Sequence, residues 1–222
     1  SSEDKVALIA RYRELLEKKP ETEPDVALGR SVFNKTCAQC HKLFGTGKTV
    51  GPEITGSNRA NLKYVLTNVL DPSALIGKDY VAQVIITDDG RVVTGIVRQE
   101  TEDALEVATP NETIVIPRDE IDEMEPSTKS MMPDDILKPL SETELRALVA
   151  YLASPQQVPM LATVDNAGSF FNAVDLTGWQ GDTSLWSVEN GELVGRTKGL
   201  GHNEFIVSDF SVGDFRLKFE VK

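Results

Sequence analysis

The chain has 222 residues, 40% hydrophobic and 26% charged, with a formal net charge of −12. That length suits one large domain or two small ones. No run of about 18 apolar residues occurs, which excludes a membrane-spanning helix, and the acidic balance argues against nucleic acid, which calls for a basic surface.

The polar start Ser1-Ser2-Glu3-Asp4 does not read as a signal peptide. Lys5 to Lys18 has the spacing of an amphipathic helix, with Val6, Ile9, Arg13 and Leu16 three to four residues apart. Pro20 and Pro24 break it and make a linker, so residues 1–24 form an N-terminal helix and its connection. Asp25 is a good N-cap for a second helix running to about Thr36, with Gly29 and Phe33 one turn apart on one face.

Cys37-Ala38-Gln39-Cys40-His41 follows at once. A C-x-x-C-H string is the attachment sequence for a c-type haem. Two thiols add across the two vinyl groups, and the histidine is placed to ligate the iron from below. These are the only cysteines in the chain. A thioredoxin-like C-x-x-C needs a preceding strand and a doubly wound sheet, and here a helical pattern precedes it. A zinc site wants four ligands, chiefly nitrogen and sulfur. Two cysteines, His41 and the distant His202 are the whole such inventory, at no familiar spacing.

Residues 45–56 form a glycine-rich loop around Gly51-Pro52, and Asn58 to Leu70 reads as a helix with Leu62, Val65, Leu66 and Val69 as its apolar stripe. The period then shortens. Val81–Thr87, Arg91–Gln99, Ala104–Thr109 and Thr113–Pro117 read as four short strands of a small antiparallel, barrel-like insert at about 80–123. Ser141-Glu142-Thr143-Glu144 is a capping box opening a last helix, with Leu145, Leu148, Val149 and Leu152 as its buried face. Ser154-Pro155 stops that helix, and residues 155–162 are a linker.

From residue 163 to 222 aromatics enter, at Phe170, Phe171, Trp179 and Trp186. Asn190-Gly191 is a hairpin signal, and Glu204–Ser208 and Phe215–Val221 are further strand candidates. The chain ends inside a strand pattern, so this segment reads as part of a domain rather than a complete one. Residues 100–135 carry twelve acidic side chains against Arg118 and Lys129. The plain reading is a solvated face; the functional reading is a docking field for a basic redox partner.

Histidine is nearly excluded by count as a second axial ligand, which leaves methionine, whose soft thioether favours ferrous iron and raises the potential. Met131 and Met132 lie in Ser130-Met131-Met132-Pro133, a loop that proline stiffens. Met132, beside the proline, is the preferred ligand, with Met131 the alternative.

Residues 25–154 resemble a class I-type bacterial cytochrome c. The resemblance is carried by Gly29 and Phe33, the Cys37–His41 string, the Gly51-Pro52 loop, the Met132-Pro133 loop and a last helix with Tyr151. More narrowly they resemble planctomycete and verrucomicrobial haem-binding domains with a β insert, through the string at residues 51–59, Asp71-Pro72-Ser73 and Asp89-Gly90-Arg91. The resemblance implies that the first and last helices cross tightly at Gly29, with Phe33 and Tyr151 beside the crossing. It implies a hydrogen bond from the His41 ring to the Pro52 carbonyl, and it offers Arg59 as a partner for a haem propionate. Residues 163–222 resemble the start of the 3-keto-disaccharide hydrolase-like domain, a concanavalin-like β-sandwich. The matching strings are Phe170-Phe171-Asn172, Asp175 to Trp179, Leu185 to Gly191 and His202 to Phe205.

The expectation is an α+β chain: a helical cytochrome c fold with a small antiparallel β insert, then a partial all-β segment. One covalent haem c would be held by Cys37, Cys40, His41 and Met132, with Pro52 and Arg59 in support. It would exchange single electrons with a redox partner protein, a sugar oxidoreductase being one candidate. An exported, periplasmic location follows from where such haem is attached in bacteria. The alternative is a haem-fused carbohydrate-active protein touching sugar through its C-terminal segment, and a third is a ligand-sensing haem. No catalytic residue is assigned, and whether the chain is an enzyme stays open.

Overall fold

The structure is a computed structural model describing residues 2–222; Ser1, part of the polar start read above, lies outside them. It is a mixed α+β arrangement in which four helices enclose one core and a five-stranded antiparallel sheet encloses another. No helix among the described residues is long and apolar enough to cross a membrane.

Helix α1 spans Glu3–Glu17, capped by the Ser2 side chain. Its buried stripe differs from the expected one. Val6 is 58% exposed and Arg13 pairs outward with Glu17 at 2.7 Å, while Leu8, Ile9, Tyr12, Leu15 and Leu16 pack on the core. The neighbour decides the face, because both stripes have helical spacing. Helix α2 spans Val26–Thr36, and Asp25 caps it by accepting the amides of Ala27 and Leu28 at 2.8 and 3.2 Å. Helix α3 is shorter than expected, Leu62–Leu70, because the Asn61 side chain takes the Tyr64 amide at 3.0 Å and opens the helix there. Helix α4 spans Glu142–Ala153 and carries the predicted reciprocal capping box between Ser141 and Glu144.

The most extensive packing of any two elements is between α2 and α4. Gly29 makes it possible: a Cβ there would stand 2.7 Å from Tyr151 Cβ and overlap the Ala147 carbonyl outright. Phe33 meets Tyr151 edge to face, centroids 5.6 Å apart. Both rings are fully buried, each contributing about 1.5–3 kcal/mol by area. Arg146 of α4 reaches across to the end of α1 and donates to the carbonyls of Leu15 at 2.6 Å and Lys18 at 3.0 Å. That helix has no basic residue in its last turn, so the guanidinium supplies the cation its C-terminus favours.

The insert holds β1 (Gln83–Thr87), β2 (Val92–Glu100), β3 (Ala104–Ala108), β4 (Thr113–Pro117) and β5 (Ile121–Pro126). Their order is β4-β3-β2-β1-β5. Strand β5 was not among the expected four: Ile121-Asp122-Glu123-Met124-Glu125-Pro126 lacks apolar alternation and is made a strand by pairing with β1. The sheet is open rather than a closed barrel, since no rung joins β4 to β5 among the described residues. Ile85, Leu105, Val107 and Ile116 form its core.

Past α4 the strands are short. β6 (Met160–Leu161) pairs in parallel with β11 (Phe210–Ser211), and β7 (Trp179–Gln180) pairs antiparallel with β10 (Val207–Ser208). β8 (Trp186–Glu189) and β9 (Glu192–Gly195) form the hairpin that Asn190-Gly191 announced, both turn residues having positive φ, 52° and 82°. These mainly antiparallel ladders are consistent with a partial β-sandwich. The expected strand at 215–221 does not form. Phe215 and Phe219 are 67% and 73% exposed, and a strand needs a partner to take its backbone bonds.

Buried Arg30 of α2 joins the two halves. Its guanidinium donates to the Val158 carbonyl at 2.6 Å and lies 3.4 Å from the Asp209 carboxylate.

Candidate functional site

The C-terminal turn of α2 delivers Cys37, whose amide bonds the Phe33 carbonyl at 2.8 Å. The amides of Cys40 and His41 both return to the Cys37 carbonyl, at 3.0 and 2.9 Å, so the string is one compact turn. The two thiols are free. Burial pushes the Cys37 thiol up to about 11 and also raises Cys40. A thiol–disulfide catalyst works with a lowered thiol pKa, the opposite direction.

Residues 42–55 then fold back around His41. Gly51 N–H donates to the Cys40 carbonyl at 2.7 Å, and Ile54 N–H to the Lys42 carbonyl at 2.9 Å. This return sets the Pro52 carbonyl 2.9 Å from His41 Nδ1. A carbonyl only accepts, so Nδ1 carries a proton, and in the neutral ring the lone pair is then on Nε2. Gly51 is flat against the ring: a Cβ there would be 2.8 Å from His41 Cε1. One contact orients the imidazole and the other leaves no side chain to displace it. Gly51 in that role has no local signal beyond its place before Pro52.

Met131 and Met132 are half-buried and lie outside the set of side chains packed on the helical core. Their turn is tied down from several sides. Met132 N–H donates to Ser130 Oγ at 3.1 Å, Ser130 N–H to Ser73 Oγ at 3.0 Å, and Ser127 N–H to the Ala82 carbonyl at 2.7 Å. The Asp71-Pro72-Ser73 string thus anchors the methionine turn, a role its sequence does not disclose.

Arg59 is engaged in protein contacts. Its guanidinium donates to the carbonyls of Thr55, Leu152 and Ser154, the last at 3.0 Å, and lies 4.8 Å over the Phe44 ring. It caps the end of α4 and joins it to the loop after His41.

The donor set is two thiols in one turn, one imidazole presenting Nε2, and a thioether turn. These are donor types that a porphyrin, which brings four ligands of its own, would ask of a protein: axial donors, and thiols to add to its vinyls. In the C-terminal segment His202 Nε2 lies 2.6 Å from Glu204 Oε1, on an exposed stretch of chain.

A family model described as a 3-keto-alpha-glucoside-1,2-lyase-like domain matches residues 166–222, about a quarter of the chain. No curated protein matches the chain.

Proposed function

We propose that residues 25–154 are a single-haem c-type cytochrome domain that passes electrons one at a time to or from an exported partner. Bound haem c supplies a ferric/ferrous couple. Cys37 and Cys40 would hold it covalently, His41 Nε2 would be one axial donor, and Met132 the other, with Met131 as the alternative. The observation that carries the reading is the His41 ring: its Nδ1–H is spent on the Pro52 carbonyl 2.9 Å away, and Nε2 is left as a donor beside two thiols. Holding Nδ1–H to a carbonyl fixes the tautomer and raises the basicity of Nε2. Two strong axial donors leave no site for substrate, so the role is electron transfer. The periplasm is the compartment, because thiols of such a string are joined to haem outside the cytoplasmic membrane in bacteria.

The test is a pyridine haemochrome assay with an intact-mass measurement after expression with a working maturation system. One covalent haem per chain supports the reading. A colourless protein, or pigment extracted by acidified organic solvent, refutes it. Carbon monoxide binding to the resting ferrous protein would replace electron transfer by ligand sensing.

The match over residues 166–222 supports a second reading, in which the haem domain serves a carbohydrate-active protein and a sugar oxidoreductase is its electron partner. Release of sugar from a 3-keto-glycoside by this chain, lost when residues 163–222 are removed, supports it.

A further inference from the structure

Thr49 and Val50 sit between the His41 string and the Gly51-Pro52 turn, and their carbonyls are taken by a residue of the β insert. Arg98 Nη2 donates to the Thr49 carbonyl at 2.7 Å and to the Val50 carbonyl. The same guanidinium lies 5.5 Å over the Tyr80 ring. Arg98 reaches this loop because of a bulge. Val97 pairs with Val107 and Gln99 with Glu106 of β3, so Arg98 is the extra residue of β2 and has no partner on that side. Bulges re-aim one side chain and recur next to functional sites. Lys48 and Gly51, on either side of the clamped pair, bond back to Ala38 and Cys40 of the string. The sheet is therefore connected to the imidazole in a short series: β2 bulge, Arg98, the 49–50 carbonyls, Gly51-Pro52, His41.

We propose that Arg98 is a positioning residue for His41, and that the β insert acts through it on the electron affinity of the haem; the inference rests on the haem reading above. The Gly51 and Ile54 bonds fold the Pro52 turn onto the string, and Arg98 adds a hold on the backbone just before it. Both bonds come from one nitrogen, Nη2, and the plane of the guanidinium lying over Tyr80 fixes where that nitrogen stands; an ammonium on a flexible stem keeps the charge without that fixed plane. A slackened Pro52 contact makes the imidazole a weaker donor, and that raises the potential.

The experiment compares haem-loaded wild type with Arg98→Lys and Arg98→Ala, using Arg91→Ala, an exposed arginine in the β1–β2 turn, as control. Arg98→Lys keeps the charge, so its potential reports the ring alone. The expected result has two parts. Exchange of the Lys48 and Gly51 amides, which bond back to the string on either side of the clamped carbonyls, speeds up about tenfold in both Arg98 variants, as for loss of a charge-assisted hydrogen bond. The ferric NMR shifts of the His41 ring move and the Arg98→Lys potential rises, while Arg91→Ala matches wild type. Unchanged exchange and unchanged His41 shifts in both Arg98 variants overturn the proposal. A change in Arg98→Ala alone also overturns it, since that is an effect of charge. A wild type without covalent haem sinks the haem reading and this one with it; a haem-loaded wild type with unmoved variants sinks only this one.

Discussion

Gly29 of α2 lies directly against the Ala147 carbonyl of α4, close enough that any side chain at 29 would overlap that oxygen. The two helices that bracket residues 25–154 in sequence therefore touch backbone to backbone, and the Cys37–His41 turn hangs from the end of one of them. Position 29 admits no side chain while the helices keep this spacing.

Gly29→Ala should cost about 3 kcal/mol, at the upper end of overpacking penalties, because the obstacle is backbone and cannot rotate away. Urea unfolding followed by helical circular dichroism measures it. A loss under about 0.5 kcal/mol would mean that α2 and α4 separate more easily than this crossing implies.

Arg30→Met should loosen the connection between the helical core and the last segment. It removes the bonds to Val158 and Asp209 and leaves the Asp209 carboxylate with its bond from Gln180, at 2.6 Å. The expected cost is about 2 kcal/mol, the range for a broken charge-assisted contact. Limited proteolysis should cut residues 155–162 faster in the variant, and an unchanged cleavage rate would remove Arg30 as a tether.

Met132→Ala should abolish the far-red sulfur-to-ferric-iron band and lower the potential, because a soft thioether favours ferrous iron. Optical titration of the haem-loaded variant reads both. If the band survives, the ligand assignment passes to Met131, and Met131→Ala should then remove it.

The capping box gives α4 a pH dependence. The Ser141 hydroxyl, then the Ser141 backbone N–H, hold the Glu144 carboxyl below its ordinary range. A lowered folded value means that the stabilisation is present above the ordinary glutamate pKa and is lost as pH falls through the lowered one. Ser141→Ala should cost about 1 kcal/mol at neutral pH. The difference between wild type and Glu144→Gln should shrink on acidification. A difference that stays constant with pH would assign the cap to the hydroxyl alone.

Much of the helical framework was legible because its signals are local. Asp25 and Ser141 cap their helices as read, and Asn190-Gly191 turns a hairpin, since each acts on amides within a few residues. Asn61 carried the same kind of signal, and it moves the start of α3 four residues from Asn58 to Leu62. The acidic β5 was not legible, because pairing with β1 rather than its own pattern makes it a strand. At 215–221 the alternation was present and the partner was not, so a correct local pattern yields no strand.

The candidate site divides along the same line. Sequence alone puts two thiols and an imidazole together in residues 37–41, because five consecutive residues cannot be far apart. The Pro52 contact is implied by the family resemblance and by no local pattern. Tertiary structure decided the rest: which face of α1 is buried, that Arg59 is engaged at the end of α4, that Ser73 anchors the methionine turn, and that Arg98 reaches the 49–50 carbonyls. Each of these joins residues far apart in the chain, and the free energy of such a contact depends on the surroundings that folding brings together, which no window of neighbouring residues contains.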